Sequence, residues 1–184
     1  MSMVIVRTTK VKIDLAFDVA EHTIQQWNAA CNYISQVAFD NLAIAHNTLK
    51  LNALTYVDVK AGFGLSAQVT QNAVRQVSAK YQSAKTSKTN LKQAIYFKPR
   101  NAIALQGGER GRDFGFKVGG LSIWTLDGRI KSVAFHGAPK LAEYMADWNL
   151  SDARMFISKG EIFLSVSFNK EVEPVAKLNN AVIG

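Results

Sequence analysis

One alternating segment near the start of the chain has no partner close by, and this constrains the fold more than any other feature. In Lys10-Val11-Lys12-Ile13-Asp14-Leu15 apolar and polar residues alternate, which places Val11, Ile13 and Leu15 on one face of a half-buried strand. No second alternating run lies within hairpin distance. Helical spacing follows instead: over residues 19–46, Ile24, Trp27, Cys31, Ile34, Ala38, Leu42 and Ala45 fall on one stripe. A shorter helical stretch over residues 54–61 ends at Gly62-Phe63-Gly64; Ser66 then stands where an N-cap belongs, and a third helix runs to about residue 84. Past Ser87 the period changes to two. Phe114, Phe116 and Val118 alternate, Arg129, Lys131 and Ser132 do so less regularly, and Ile162, Leu164, Val166 and Phe168 form the cleanest strand. Asp127-Gly128 and Lys159-Gly160 separate such runs, and both dipeptides favour the positive φ angles of tight hairpins. One helix, residues 140–148, interrupts them, with Leu141, Tyr144, Met145 and Trp148 on the face expected to cap the sheet. The first strand must therefore reach its sheet across a helical excursion. The expected fold is α+β: an antiparallel sheet or small β-barrel into which residues 19–85 are inserted, with residues 10–15 pairing to strands that come after Ala102.

The chain has 184 residues, 48% of them apolar, enough for a real core. Its 22 Lys and Arg against 14 Asp and Glu give a net charge of +8, which favours a polyanion as partner and is shared by ribosome-like and membrane-surface proteins. No apolar run approaches the roughly 20 residues that cross a bilayer, and the N-terminus lacks the layout of a secretory signal, so a cytoplasmic location is expected and no membrane partner. Cys31 is the single cysteine and reads most simply as a core thiol; His22, His46 and His136 are scattered, without metal-binding spacing. No Gly-x-Ser-x-Gly elbow is present. Glu143 and Asp147, four apart on one helix, share a face as an acid/base pair requires, but a solvated helix face explains them as well.

Two stretches carry the binding signal. From residue 75 to 112 the bases Arg75, Lys80, Lys85, Lys88, Lys92, Lys98, Arg100, Arg110 and Arg112 face one acid, Glu109. Such a run can neutralise several phosphates, and the interleaved Tyr81, Tyr96 and Phe97 can stack on bases. The competing reading is a solvated connector. Gly107-Gly108-Glu109-Arg110-Gly111-Arg112-Asp113 could cradle a phosphate or be a plain hairpin loop, with Asp113 orienting Arg110 and Arg112. The helix over residues 66–84 has no Asp or Glu. It is expected to put Val69, Ala73, Val74, Val77 and Tyr81 inward and Gln68, Gln71, Asn72, Arg75 and Gln82 outward, where amides and arginine match base edges in a major groove. The alternative is an amide face with no partner, with readout around Tyr56 or in the sheet loops.

Leu65-Ser66-Ala67-Gln68, then Arg75-Gln76-Val77 and Tyr81, Phe97-Lys98, the turn Thr125-Leu126-Asp127-Gly128-Arg129 and the closing Val182-Ile183-Gly184 give a further pointer. In these residues the chain resembles the N-terminal half of the transposon-encoded RNA-guided nucleases of the TnpB type (OrfB-like transposases) and the compact type V CRISPR effectors. The resemblance implies an OB-like wedge β-barrel at 1–18 and 96–172, interrupted by a helical recognition domain at 19–95. Residues 173–184 would be a linker and the start of a RuvC-like nuclease domain, whose chemistry and Mg would lie beyond Gly184. It further implies a non-catalytic chain without a cofactor of its own. The partners would be a guide RNA, a target DNA duplex with a short flanking motif, and the nuclease half or a second copy of the chain. The binding residues would be Tyr56, Gln68, Gln71, Asn72, Arg75, Gln76, Lys80, Lys85, Lys88, Lys98, Arg100, Arg110 and Arg112. The other reading is a stand-alone RNA- or DNA-binding protein, a repressor or accessory subunit.

Overall fold

A computed structural model of the chain describes residues 3–108 and 113–173. Arg110, Arg112 and residues 174–184 of the expected linker and nuclease start lie outside the described residues. The first strand, β1 (Met3–Ile13), runs antiparallel to the last, β8 (Glu161–Val172), from Met3↔Val172 to Ile13↔Ile162. Its final residues Val11, Lys12 and Ile13 also pair, on the other side, with β6 (Phe135–Gly137). The orphan strand thus finds both partners after Ala102, as its isolation required. It is longer than the alternating segment because Met3-Val4-Ile5-Val6 is apolar on both faces and carries no alternation, and Leu15, though buried, lies past its end.

The described strands form two antiparallel sheets. With β2 (Ile103–Gln106) and β7 (Asn149–Ser158), the first has the order β2-β7-β8-β1-β6; the second is β3 (Phe114–Lys117), β4 (Gly120–Thr125) and β5 (Gly128–Val133). Neither closes on itself among the described residues, so the strands are seen as two sheets rather than as a closed barrel. Backbone bonds link them where the chain passes between: Asp14 N–H to Ala134 O at 2.9 Å, and Asp113 N–H to Gln106 O at 3.0 Å. Lys159 and Gly160 turn β7 into β8 with φ of 52° and 77°, the two positive angles of a tight hairpin. Val118 is fully exposed in a third hairpin turn, so the alternation of Phe114 and Phe116 stops before it. The irregular pattern at Lys131 and Ser132 is a bulge: Ile123 pairs with Ile130 and Leu121 with Val133, and Ser132 takes φ 58°.

Three helices lie in sequence between β1 and β2: α1 (Phe17–Asp40), α2 (Thr48–Phe63) and α3 (Ala67–Thr86); α4 (Lys140–Asp147) comes later. α1 buries Ala20, Ile24, Trp27, Cys31, Ile34 and Ala38 at helical spacing, beneath the sheet face that carries Val11, Ile103, Leu105, Met155, Leu164 and Val166. It ends six residues short of the expected His46. Asn41 donates its side-chain amide to Val37 O at 2.9 Å and its N–H to Ala38 O, which tightens and closes the last turn. Leu42, expected in the core, is consequently 51% exposed. α2 starts earlier than expected because Asn47 accepts from Lys50 N–H at 3.1 Å as an N-cap, and it stops at Gly64, φ 65°. Tyr144 of α4 packs 5.2 Å from Trp148 and 5.7 Å from Phe168, capping the sheet end as the spacing predicted, while Met145 on the same helix is 41% exposed. No helix among the described residues is long and apolar enough to cross a membrane.

Burial pushes the Cys31 thiol pKa well up, so the group stays protonated and unreactive near neutral pH. A thiol reagent should label Cys31 only after denaturant is added; fast labelling of the native chain would contradict this packing.

Candidate nucleic-acid interface

The candidate interface is built on α3 and the irregular segment that follows it. Ser66 caps α3 by accepting Val69 N–H at 3.4 Å, and Val69, Ala73, Val74, Val77 and Tyr81 are buried, as their spacing requires. The polar side needs one correction. Asn72 is buried, donating to Asp113 Oδ2 at 2.8 Å and accepting from Gln68 Nε2 at 3.3 Å. Asp113 is fully buried, and the same Oδ2 accepts Gln106 N–H of β2 at 2.8 Å, so one carboxyl oxygen ties helix to sheet. Asn72 borders the apolar stripe, and the buried acceptor is what allows an amide there. Neither residue signals its partner, which lies 41 positions away. Gln71 is half-buried, and Arg75 and Gln82 remain exposed.

Residues 91–102 have no helix or strand of their own and are clipped by two asparagines of α1. Asn32 accepts Phe97 N–H at 2.7 Å and donates to Phe97 O at 2.9 Å, the two bonds a neighbouring strand would make. Asn28 donates to Asn101 O at 2.9 Å. This fixes which side chains turn outward. Phe97 is 3% exposed, and so is Tyr81, whose hydroxyl donates to Ser35 O at 2.8 Å; both are core residues rather than stacking platforms. Tyr96, next to Phe97 in the chain, is 66% exposed, and Lys98 also faces solvent.

Between the polar side of α3 and the β2–β7 edge lies a cavity of about 530 Å³ lined by Asn72, Arg75, Gln76, Gln106, Asp152 and Arg154. A second, of about 330 Å³, is lined by Gln76, Lys80, Tyr96 and Arg154. The two adjoin at Gln76 and Arg154 and together form the candidate groove. Arg75, Lys80 and Arg154 form no ion pair among the described residues, and Asp152 is the single acid in the lining. Arg154 escapes sequence reading because β7 opens with a bulge between Leu150 and Ala153, leaving only Ala153, Arg154 and Met155 to alternate cleanly. Gly107 also lines the groove. A Cβ there would stand 2.7 Å from the Phe114 ring and 2.8 Å from Ser151 O, so close packing alone accounts for that glycine.

The remaining candidates lie elsewhere. Arg100 is ion-paired to Glu21 at 2.5 Å, Lys85 sits 3.0 Å from His46 Nε2, and Lys88 follows α3 with φ 51°. Tyr56 is half-buried on α2, with Lys60 Nζ 5.9 Å from its ring centre. None of these, nor Gln68, Gln71 or Lys98, lines the groove. Glu143 and Asp147 are both exposed, Asp147 bonded to Lys170, which fits a solvated face. No group of three or more His, Cys, Asp or Glu among the described residues could hold a metal ion. No protein-family model matches the chain and no curated protein matches it, so the functional reading rests on this geometry.

The Asn72–Asp113 contact gives a stability prediction. Asn72→Ala removes a hydrogen bond to a buried carboxyl and should cost about 1–3 kcal/mol, whereas Gln71→Ala, one residue away and half-buried, should be nearly neutral. Urea midpoints of the two variants check this; equal midpoints would contradict the account.

Proposed function

We propose that the chain is the nucleic-acid recognition part of an RNA-guided DNA endonuclease of the TnpB or compact type V kind. In this reading it holds the scaffold of a guide RNA and contacts the short motif beside the DNA target in the cytoplasm. The two sheets serve as the wedge barrel, and a separate nuclease domain supplies Mg and the cutting chemistry. The observation that carries it is the groove. Arg75, Lys80 and Arg154 are three cations that form no ion pair among the described residues, set beside the Gln76 amide and the exposed Tyr96 ring. Cations supply phosphate affinity, an amide can read a base edge, and an aromatic ring offers a stacking face. An acid-poor α3 with its apolar side fully used for packing leaves that polar side available for a ligand. In such systems base pairing reads most of the sequence and protein reads only the flank.

The reading divides the groove's residues by effect. Arg154→Ala or Lys80→Ala should weaken binding to all sequences alike and lower the slope of log affinity against log salt by about 0.9 for duplex DNA. Gln76→Ala should instead relax the preference for the flanking motif, by about 1–3 kcal/mol for a lost bidentate pair. Titrations of the guide-loaded chain at low and physiological salt decide it, and a structured RNA of defined length should co-purify. A flat salt response in the native chain would overturn the reading. Heterogeneous co-purified fragments with no motif preference would favour a stand-alone nucleic-acid-binding protein.

A further inference from the structure

The five-stranded sheet has a second face that the groove only touches. Along β8, Ile162, Leu164, Val166 and Phe168 are buried while Phe163, Ser165, Ser167 and Asn169 between them are half-exposed. β7 and β1 alternate in phase: Ala153 and Met155 are buried with Arg154 and Phe156 outward, and Val11 and Ile13 are buried with Lys10 and Lys12 outward. No outward residue of this central set is buried, so nothing among the described residues covers the face. Two half-buried phenylalanines lie directly opposite each other here. Phe156 and Phe163 are register partners with ring centres 5.7 Å apart and planes 26° from parallel. Lys10 Nζ rests 3.6 Å above the Phe163 ring centre and 5.4 Å from that of Phe156.

We propose that this outer face is a platform on which unpaired bases of single-stranded RNA stack against Phe156 and Phe163. The inference rests on the nucleic-acid reading above and extends it to a second surface. Three observations favour that occupant. Lys10, Lys12 and Arg154 surround the two rings; Lys12 is ion-paired to Glu161 at 2.5 Å with Asp14 nearby, and Asp152 stands two residues before Arg154, so Lys10 and Arg154 are the cations that form no ion pair among the described residues. Arg154 belongs to this face and also lines the groove, two residues or about 7 Å along β7 from Phe156. A strand leaving the groove would therefore reach the rings at once. Ser165, Ser167 and Thr8 line the same face with hydroxyls, Thr8 Oγ1 and Ser167 Oγ lying 3.3 Å apart, and hydroxyls of this kind match the ribose 2′-OH. Lys10 occupies the Phe163 ring as a cation–π partner in the free chain; a stacked base takes its place, and the ammonium moves to the adjoining phosphate.

The test titrates the full chain with a short single-stranded RNA carrying 2-aminopurine, with the DNA of the same sequence, and with a blunt RNA duplex. Single-stranded RNA should bind with quenching of the 2-aminopurine. The double variant Phe156→Leu with Phe163→Leu should lose the quenching and about tenfold or more in affinity, the effect of losing a stacked base. Its duplex affinity should be unchanged, and Phe156→Tyr with Phe163→Tyr should retain both signals. Unchanged affinity of the leucine variant for single-stranded RNA overturns the platform, as does native binding of duplex without single strands, which leaves the groove standing. Equal affinity for the DNA strand overturns the assignment to RNA. A native chain that binds neither form overturns the nucleic-acid reading itself. Photocrosslinking of 5-bromouridine RNA to the native chain needs no substitution: crosslinks must include Phe156 or Phe163, and crosslinks confined to other residues overturn the platform.

Discussion

The placement of α3 against the sheets depends on one buried carboxyl. Asp113 stands at the junction of the two sheets, its N–H bonded to Gln106 O and its carbonyl accepting Trp124 N–H at 2.7 Å, while its Oδ2 takes Gln106 N–H and the Asn72 amide. Three elements, α3, β2 and β4, are thus located from one residue. A buried polar group is costly unless satisfied, and a satisfied one fixes geometry more sharply than apolar packing, which tolerates small slides. Only with α3 pinned in this way does a groove of defined width exist beside it. Sequence reading gives Asp113 the loop arginines Arg110 and Arg112, which lie outside the described residues, and does not foresee this structural duty.

The sheet contributes through its two unlike faces. One is filled by Trp27, Ile24 and the strand residues that meet them, all fully or nearly buried. Burial of Trp27 alone is worth several kcal/mol, since truncating a core tryptophan typically costs about 3–5 kcal/mol. The other face packs only locally, Phe156 against Phe163 beneath Lys10. Its lysines, arginine, hydroxyls and phenylalanine pair are held in register by neighbours whose positions the core dictates, so a rigid scaffold presents a polar surface without a flexible loop. The groove beside α3 and this open face meet at Arg154.

Much of the architecture was legible because the underlying signals are local. Val11 and Ile13, and the run from Ile162 to Phe168, alternate where one face is buried and the other wet, and Lys159-Gly160 marks a turn by backbone chemistry alone. Elements whose apolar residues face solvent were not legible: α2 exposes Leu49, Leu54 and Val57, so its period is blurred and its length was underestimated. In the candidate interface, Arg75 could be named from an acid-free helix and Lys80 from the basic run, whereas Gln76 came only with the family resemblance. Asn72 is buried against a partner remote in sequence, which the helical spacing does not reveal, and Tyr96 is not separable from Phe97 in the sequence because the Asn32 clip on Phe97 is a tertiary contact. Arg154 was hidden by the bulge in β7.

The central claim is that the groove between α3 and the β2–β7 edge carries the nucleic acid. Arginine modification by phenylglyoxal, read by mass spectrometry with and without a bound hairpin RNA bearing a single-stranded tail, tests it most directly. The account predicts that Arg75 and Arg154 become protected while Arg7, exposed on β1 and outside the groove lining, stays reactive. Unchanged reactivity of Arg75 and Arg154 in a complex that protects other arginines would contradict it.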